Sequence, residues 1–250
     1  MSVNNPGEKF KDCAVVFLAF FLSSCVLQSV RFTPDLPFGS FVKIDVKHVK
    51  AHCSGKLADP SCTVDSGIGS GAIIDVGGSL QVLTAGHICS AIKEMTEHAE
   101  GTPGDDLVSV MIHADDGNVH PAFVLSMHPT EDICLMGIHA AVHIQPALLA
   151  YYNPARAGAV WSLMAPAGVS GPQLVPVTSG HFSGGDSRLS VFTVPSHPGS
   201  SGGPILDSNG RIVGLVSQIH KDFHHIVVSP SLHLIKEFVS TVSKSTAERK

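Results

Sequence analysis

The sequence contains few charged residues and has no excess of positive charge. Charged side chains make up 15% of the 250 residues, and 21 acidic against 16 basic residues give a net charge of −5. Nucleic-acid-binding proteins are usually basic, so this class is disfavoured. The hydrophobic share of 44% is too high for a disordered chain. The length suits one large domain, or two small ones that share a core.

The apolar run near the N-terminus is too short to cross a bilayer. It covers Ala14–Leu22, whereas a transmembrane helix needs roughly 20 apolar residues. Two lysines precede it, as in a signal peptide. The tetrad Leu22–Cys25 follows and resembles the lipobox of bacterial lipoproteins. This resemblance implies a signal peptide over 1–24, a lipid anchor on Cys25 and export to the cell envelope as a membrane-anchored lipoprotein. An ordinary cleaved signal and an uncleaved anchor are the alternatives.

Glycine and proline are frequent, with 24 and 16 residues, which indicates many turns, as in all-β proteins. After a lead-in over 25–40, apolar and polar residues alternate in Phe41–Val49 and predict a half-buried strand. Two apolar runs flank Gly77-Gly78-Ser79 and predict a hairpin that ends at His87, followed by a short helix over 90–99. Further short strands complete a small barrel over about 41–140.

The second half repeats this pattern after a crossover at about 140–157. Short strands and turns predict a second barrel over about 158–228. Ser229 followed by Pro230 is typical of the start of a helix. The apolar stripe of that helix extends to about 243 and consists of Leu232, Ile235, Val239 and Val242.

The strongest chemical motif is Gly199–Pro204 (GSSGGP). A serine is a weak nucleophile unless a base removes its proton and backbone N–H groups stabilise the oxyanion that develops. Glycines allow the tight turn that presents such a serine and its neighbouring amides. Ser201 is therefore the candidate nucleophile. The alternative is a Gly/Ser-rich turn between strands.

Two further motifs supply the partners of this serine. His87 ends the run VLTAGH and is the candidate general base, whereas Asp132, in TEDICL, is the candidate for orienting the imidazole. Each motif is weak alone, since the chain has 15 histidines and aspartate often precedes strands. The order His, Asp, Ser is that of chymotrypsin and differs from that of subtilisin or the α/β-hydrolases. His87 and Asp132 fall in the first barrel and Ser201 in the second.

These motifs resemble those of chymotrypsin-like serine proteases. The pattern over about 66–240 is similar to the protease domain of the high-temperature-requirement envelope proteases. The resemblance implies an all-β protease domain over 41–250 with two six-stranded antiparallel barrels, the active site between them and a C-terminal helix. That family normally carries a C-terminal PDZ domain, for which this sequence leaves no room. We therefore expect the protease fold without the chaperone role or peptide-sensing regulation.

The resemblance also implies roles for residues around the nucleophile. The oxyanion hole would consist of the amides of Gly199 and Ser201, and Ser217 would support Asp132 and line the substrate strand. The specificity pocket would be lined by Pro195, Ser196, Gln218 and Ile219. No acidic residue lies at its floor, so we expect small or medium apolar side chains in the pocket rather than Lys or Arg. Ser196 and His220 leave Glu or Gln as an alternative.

Activation by an N-terminal ammonium is not expected. In digestive members of the family, an Asp directly before the nucleophile pairs with a newly freed N-terminus. Ser200 occupies that position here and is uncharged, and burying an ammonium without a counter-charge costs several kcal/mol. We therefore expect activity without zymogen cleavage.

Four of the six cysteines lie beyond the signal and the lipobox, an even number, as in exported disulfide-bonded proteins. Cys53 and Cys62 flank a short loop and are the candidates for a local disulfide. Cys89 and Cys134 each lie two residues after a candidate catalytic residue. Their sulfurs are therefore near each other if His87 meets Asp132. Two buried thiols are the alternative.

We expect no cofactor, and protein or peptide substrates. Neither His224-His225 nor His48…His52-Cys53 has the ligand spacing of a zinc site, so no metal is expected. Two other classes of protein remain as alternatives. One is a catalytically inactive pseudoprotease that acts as a lipid-anchored binding module, and the other is a purely structural envelope lipoprotein. The second alternative does not explain the serine motif.

Overall fold

The first half of the protein is a closed six-stranded barrel. The computed structural model describes residues 34–50, 63–100, 106–139, 144–220 and 222–247. The barrel order is β1-β2-β3-β6-β5-β4, with all pairs antiparallel. The strands are β1 Phe41–Val49, β2 Thr63–Asp75, β3 Leu80–Thr84, β4 Leu107–Ala114, β5 Val119–Met127 and β6 Cys134–Ile138.

The alternating pattern of β1 explains how the barrel is filled. Val42, Ile44 and Val46 are buried in the barrel core, whereas the polar residues between them are only half-buried. Because successive side chains of a strand point to opposite faces, this alternation sends every second residue inward. The expected first barrel is confirmed.

A helix interrupts the expected hairpin. Strand β3 ends at Thr84, and helix α1 covers Gly86–Glu100. The prediction that the hairpin extends to His87 was therefore wrong, because His87 lies in the first turn of α1. The helix also begins before the predicted range of 90–99. Its buried residues Cys89 and Ile92 face the barrel core at helical spacing.

The second half is a seven-stranded sheet with the order β11-β10-β7-β8-β9-β13-β12. The expected second six-stranded barrel is therefore confirmed only in part. The strands are β7 Ala159–Leu163, β8 Val177–Gly185, β9 Leu189–Phe192, β10 Pro204–Leu206, β11 Ile212–Leu215, β12 Gln218–His220 and β13 Phe223–Pro230.

A side chain joins β11 to β13, where a closed barrel would have a backbone ladder. The Leu215 amide donates to Ser229 Oγ at 2.8 Å, and that hydroxyl donates to the Pro230 carbonyl at 2.9 Å. Gly214 of β11 lies so close to Ser229 of β13 that a Cβ would be 2.9 Å from its Oγ. The two strands thus meet through side-chain atoms, which explains why this sheet is open in its backbone pairing.

Helix α2 covers Leu232–Ala247 and packs across the core. Ile235, Phe238, Val239 and Val242 join a cluster that includes residues of both sheets, among them Leu83, Leu135, Leu163 and Leu215. The C-terminal helix is confirmed, but its predicted cap is wrong. Ser231 caps it by accepting the Leu234 amide at 3.3 Å, whereas Ser229 and Pro230 belong to β13. Among the described helices, none combines the length and apolarity needed to cross a bilayer.

Candidate active site

His87 and Asp132 form a closely bonded pair in the first barrel. The His87 amide donates to Asp132 Oδ1 at 2.6 Å, and His87 Nδ1 lies 2.9 Å from Oδ2. A carboxylate only accepts hydrogen bonds, so Nδ1 carries the proton and Nε2 is left as an acceptor. The imidazole is 46% exposed, so Nε2 is in a position to take a proton from a group in the cleft.

Ser217 supports the carboxylate from the second sheet. Its hydroxyl donates to Asp132 Oδ2, and Ser217 itself is buried. Burial of Asp132 raises the pKa of this carboxyl, but the hydrogen bonds from His87 and Ser217, together with the charge that His87 carries when it is protonated, outweigh that effect. The net pKa lies below its ordinary value. Asp132 is therefore ionised at neutral pH, as a group that orients a histidine must be.

Ser201 lies in a glycine-rich turn that is anchored to the first barrel. The Ser70 amide donates to the Ser201 carbonyl at 2.7 Å, and the Gly202 amide donates to Val216 at 2.7 Å. Gly202 has φ +83°, and a Cβ there would lie 2.2 Å from Ser70 O and 2.1 Å from Thr84 Oγ1. Only glycine fits, and this close approach sets Ser201 beside the segment that leads into His87.

The Ser201 hydroxyl forms no hydrogen bond with any described residue. Hydrogen bonds therefore connect His87, Asp132 and Ser217 to one another, but not to Ser201. Bonds between a nucleophile and its base are often long in the absence of substrate and tighten in the complex. Ser201 as a residue is half-buried.

The amides of Gly199 and Ser201 have no acceptor within the described residues. The Pro198 carbonyl is held by the Ala167 amide at 2.7 Å. In a trans peptide the carbonyl and the next N–H point in opposite directions, so this contact turns the Gly199 N–H away from Ala167. Gly199 has φ +95°, which glycine adopts without strain. Two free amides around a serine are the arrangement that stabilises an oxyanion.

Sequence reasoning missed the residues that hold this turn. Ser70 is fully buried, donates to the Gly199 carbonyl at 2.8 Å and accepts the Ala165 amide at 2.9 Å. Ala167 adopts φ +50°, in the left-handed region, in a short turn over Pro166–Gly168. The pair of glycines on either side of Ser70 marks a closely packed stretch of β2, but these glycines lie against Ile88 and Val82 rather than against the serine turn, so they did not point to the role of Ser70.

The residues predicted to line the specificity pocket lie in two places. Gln218 is exposed and lines a cavity of about 530 Å³ together with His87 and Asp132. Ile219 is half-buried and packs on the second core. Pro195 is exposed and Ser196 is buried, with its amide donating to the His224 carbonyl at 2.8 Å. The Ser196 hydroxyl donates to Val194 O at 3.3 Å, which leaves its oxygen free to accept.

Cys89 and Cys134 form a disulfide, and both residues are fully buried. The alternative of two free thiols is therefore wrong. The candidate pair Cys53 and Cys62 and the candidate lipidation site Cys25 lie outside the described residues.

Among the described residues, the histidines singled out in the sequence do not form a cluster of metal ligands. Within the described ranges, no group of three or more His, Cys, Asp or Glu side chains is arranged to hold a metal ion. His48 is buried and pairs with Asp106 at 3.1 Å. His224 and His225 are exposed, and His52 and Cys53 lie outside the described part.

Comparison with known proteins identifies the family. The family model described as "Trypsin-like peptidase domain" matches residues 69–215, a range that includes His87, Asp132 and Ser201. No curated protein matches the chain. The active form of the Rv3671c protease from M. tuberculosis has a similar structure, with a TM-score of 0.54 at 19% identity over 78% of this chain and 77% of that chain.

The serine endoprotease from Yersinia pestis gives a TM-score of 0.58 at 16% identity over 82% of this chain. The match spans 64% of the Yersinia chain. At these identities the two structures show the fold alone. The matched family model covers more than half of the chain and includes strands of both sheets. The chain belongs to the trypsin-like peptidase family and is a chymotrypsin-like protease, as its motifs predicted.

Proposed function

We propose that the protein is a serine-type endopeptidase that hydrolyses peptide bonds through an acyl-enzyme on Ser201. The observation that carries this proposal is the hydrogen-bonded chain from Ser217 through Asp132 to His87, which leaves Nε2 of the imidazole as a free acceptor. The glycine turn beside it presents Ser201. A half-buried ionised carboxylate behind an exposed imidazole is the arrangement of a general base.

The reaction takes place in two steps. His87 Nε2 takes the Ser201 hydroxyl proton while Oγ attacks the scissile carbonyl. The oxyanion that forms accepts hydrogen bonds from the amides of Gly199 and Ser201. The imidazolium then returns the proton to the leaving amine, and the acyl group remains on Oγ. Water repeats the cycle: His87 takes its proton, the hydroxide adds to the acyl carbon, and Ser201 leaves with that proton.

The substrate pocket favours small or medium apolar side chains. Ile219 offers an apolar wall, and the Ser196 hydroxyl already donates to the Val194 carbonyl. No carboxylate is among Pro195, Ser196, Gln218 and Ile219, so a basic side chain would be buried without a counter-charge. A glutamate or glutamine side chain is the alternative that Ser196 and His220 favour.

Activity without N-terminal processing is part of the proposal. Ser200 is fully buried, donates to Met164 Sδ at 3.1 Å and accepts the His197 amide at 3.2 Å. The groups bonded to the Ser200 hydroxyl, a thioether sulfur and a backbone amide, are both uncharged, so this position offers no counter-charge for an ammonium. We also propose export to the cell envelope through the N-terminal segment, with a lipid anchor on Cys25. Mass spectrometry of the intact mature protein tests this anchor, because a diacylated cysteine adds several hundred daltons.

Labelling with a fluorophosphonate tests the nucleophile. We expect the wild type to be labelled on the peptide that contains Ser201, and Ser201→Ala to lose both the label and peptidase activity. Ser208→Ala, which removes an exposed serine in the turn before β11, is the matched control and should keep both. A wild type that folds but takes no label would instead identify the chain as a pseudoprotease. Full activity in Ser201→Ala would refute the assignment.

A further inference from the structure

We propose that the Cys89–Cys134 disulfide is a positioning element that keeps the His87 imidazole in register with the Asp132 carboxylate. This inference rests on the proposed function, in which His87 is the general base. The bond joins the two segments that carry the pair, and it does so on the buried side of the site.

The disulfide and the hydrogen-bonded pair close the same loop. Cys89 lies two residues after His87, and Cys134 lies two residues after Asp132, so both connections span 45 residues. The sulfur bridge and the bonds between His87 and Asp132 therefore complete a small ring. One side of this ring is covalent, and the other is formed by hydrogen bonds at 2.6 Å and 2.9 Å.

The two ends of this ring differ in how they are held. Cys134 is the first residue of β6 and pairs with Thr84 of β3, so the Asp132 side is part of the barrel ladder. His87 lies in the first turn of α1, where amides have no intrahelical acceptor. Asp132 supplies that acceptor through Oδ1. The carboxylate thus both caps the helix and orients the imidazole.

Packing alone does not fix the imidazole. Its side chain is 46% exposed, so its position follows the backbone of the first helical turn. Cys89 lies within that turn and carries the covalent link to β6. Gly86 lies so close to Asp132 that a Cβ would be 3.0 Å from Oδ1, which shows how little space separates the two segments. A helix shift of about 1 Å at such a site can cost about 100-fold in rate.

The bond is a permanent connection rather than a redox switch. Thiol exchange requires a thiolate to reach a disulfide sulfur, and both cysteines are fully buried in the folded protein. Reduction would therefore need partial unfolding. The double variant Cys89→Ala/Cys134→Ala removes the bond without leaving a free thiol, and so it is the direct test.

The experiment compares this double variant with the wild type and with Ile92→Ala. Ile92 is buried in α1, one turn after Cys89, in the same core cluster, so its truncation weakens the packing of the helix without breaking the link. We expect the double variant to lose about 10- to 100-fold in kcat with little change in KM. We also expect a shifted acid limb in its kcat/KM–pH profile. Ile92→Ala should lower Tm but leave both readouts close to those of the wild type.

A second readout does not depend on activity. In the wild type, the Nδ1 proton shared by His87 and Asp132 should give a low-field NMR signal, and this signal should broaden or vanish in the double variant. If the double variant does not fold, wild type reduced with dithiothreitol in mild urea and returned to native buffer supplies the same comparison. The reductant gives up two electrons and two protons and closes to its cyclic disulfide, while two protein thiols form.

The outcomes separate this inference from the proposed function. Wild-type kcat, pH profile and NMR signal in the folded double variant would overturn the positioning role. The same would hold if Ile92→Ala reproduced the whole effect. A wild type that takes no fluorophosphonate would refute the proposed function, but the NMR comparison would still test whether the disulfide holds the pair.

Discussion

The two halves of the protein hold their parts of the candidate site by different means. The first barrel is closed by backbone ladders, and it fixes His87 and Asp132 with hydrogen bonds and a buried disulfide. The second sheet is open in its backbone pairing, and it presents Ser201 on a turn that depends on positive-φ glycines. The candidate base thus lies in a barrel that a disulfide cross-links, whereas the candidate nucleophile and its neighbouring amides lie on turns.

This difference has a consequence for where the site is sensitive. Ser70 of the first barrel binds both Gly199 and Ala165 of the second half, so the turn takes its shape from its neighbour. Ser217 of the second half in turn bonds to Asp132. Each half supplies one hydroxyl that orders the other half, and substitutions at these contacts should matter more than substitutions within either sheet.

Replacing Asp132 with Asn should have the largest effect and breaks the first half of the site. The side-chain amide can donate to Nδ1, which favours the imidazole tautomer with its proton on Nε2. We expect kcat to fall by about 10⁴-fold with the fold preserved. Asp116→Asn, in the exposed β4–β5 turn, is the control and should be active. Steady-state kinetics with circular dichroism checks this, and near-normal turnover in Asp132→Asn would contradict the orienting role.

Replacing Ser70 with Ala should break the contact between the halves. The change leaves the half-buried Gly199 carbonyl and the buried Ala165 amide without their partner, at a cost of about 1–3 kcal/mol for the buried amide. We expect a kcat loss of about 10- to 100-fold, because the Gly199 amide is then less well aimed. Ser66→Ala, an exposed serine on the same strand, should change neither value. Kinetics and urea unfolding measure both. Unchanged turnover would mean that the turn keeps its shape without this serine.

Replacing Ser229 with Ala tests the side-chain contact that joins β11 to β13 in the second sheet. Ser229 and Ser190 are paired neighbours on β13 and β9, and both are fully buried. Ser229 Oγ bonds to Leu215 and Pro230, whereas Ser190 Oγ has no partner among the described residues. We expect Ser229→Ala to lower the free energy of unfolding by about 1–3 kcal/mol and Ser190→Ala to be nearly neutral. If both variants lost the same free energy of unfolding in urea, the contact between β11 and β13 would not depend on the Ser229 hydroxyl.

Acid should remove the stabilisation that Asp132 provides. Its pKa is lower in the folded state than in the unfolded state, so the ionised carboxylate stabilises the fold. This contribution is complete above about pH 4, the unfolded value, and disappears as pH falls through the folded pKa. We expect the Tm difference between wild type and Asp132→Asn to shrink as the pH falls below about 4. The lowered pKa values of Asp116 and Asp186 are common to both proteins and cancel. A difference that grows in acid would contradict this linkage.

The sequence predicted features that short patterns encode. The alternation in β1 and the order of His87, Asp132 and Ser201 placed the first barrel and assigned each motif to its half. The catalytic roles stay a prediction.

Features that depend on contacts between distant strands were not predictable in this way. The pair Ser229-Pro230 fits the start of a helix when only its neighbours in sequence are considered. In the structure, however, Ser229 lies in β13 and accepts a hydrogen bond from the Leu215 amide of β11. No residue near Ser229 in the sequence indicates this contact. The roles of Ser70 and Ala167 follow only once the two halves meet.

Replacing Ala167 with Gly should have the smallest effect. It tests whether the turn over Pro166–Gly168, which contacts the serine turn in the second half, is strained. Ala167 has φ +50°, which costs an L-residue about 1–2 kcal/mol. Glycine removes that strain but loses more entropy on folding, so we expect a net gain of up to about 1 kcal/mol. A domain of this size should then gain about 2–4 °C in Tm.

Activity should not change with this substitution. The backbone amide of residue 167 still reaches the Pro198 carbonyl, so kcat should stay near the wild-type value. Ala159→Gly, at an exposed position of β7, is the matched control and should lower Tm, because glycine weakens a strand. A fall in Tm for both variants would mean that the turn is not strained. A fall in kcat for Ala167→Gly alone would mean that the alanine itself fixes the turn that aims the Gly199 amide.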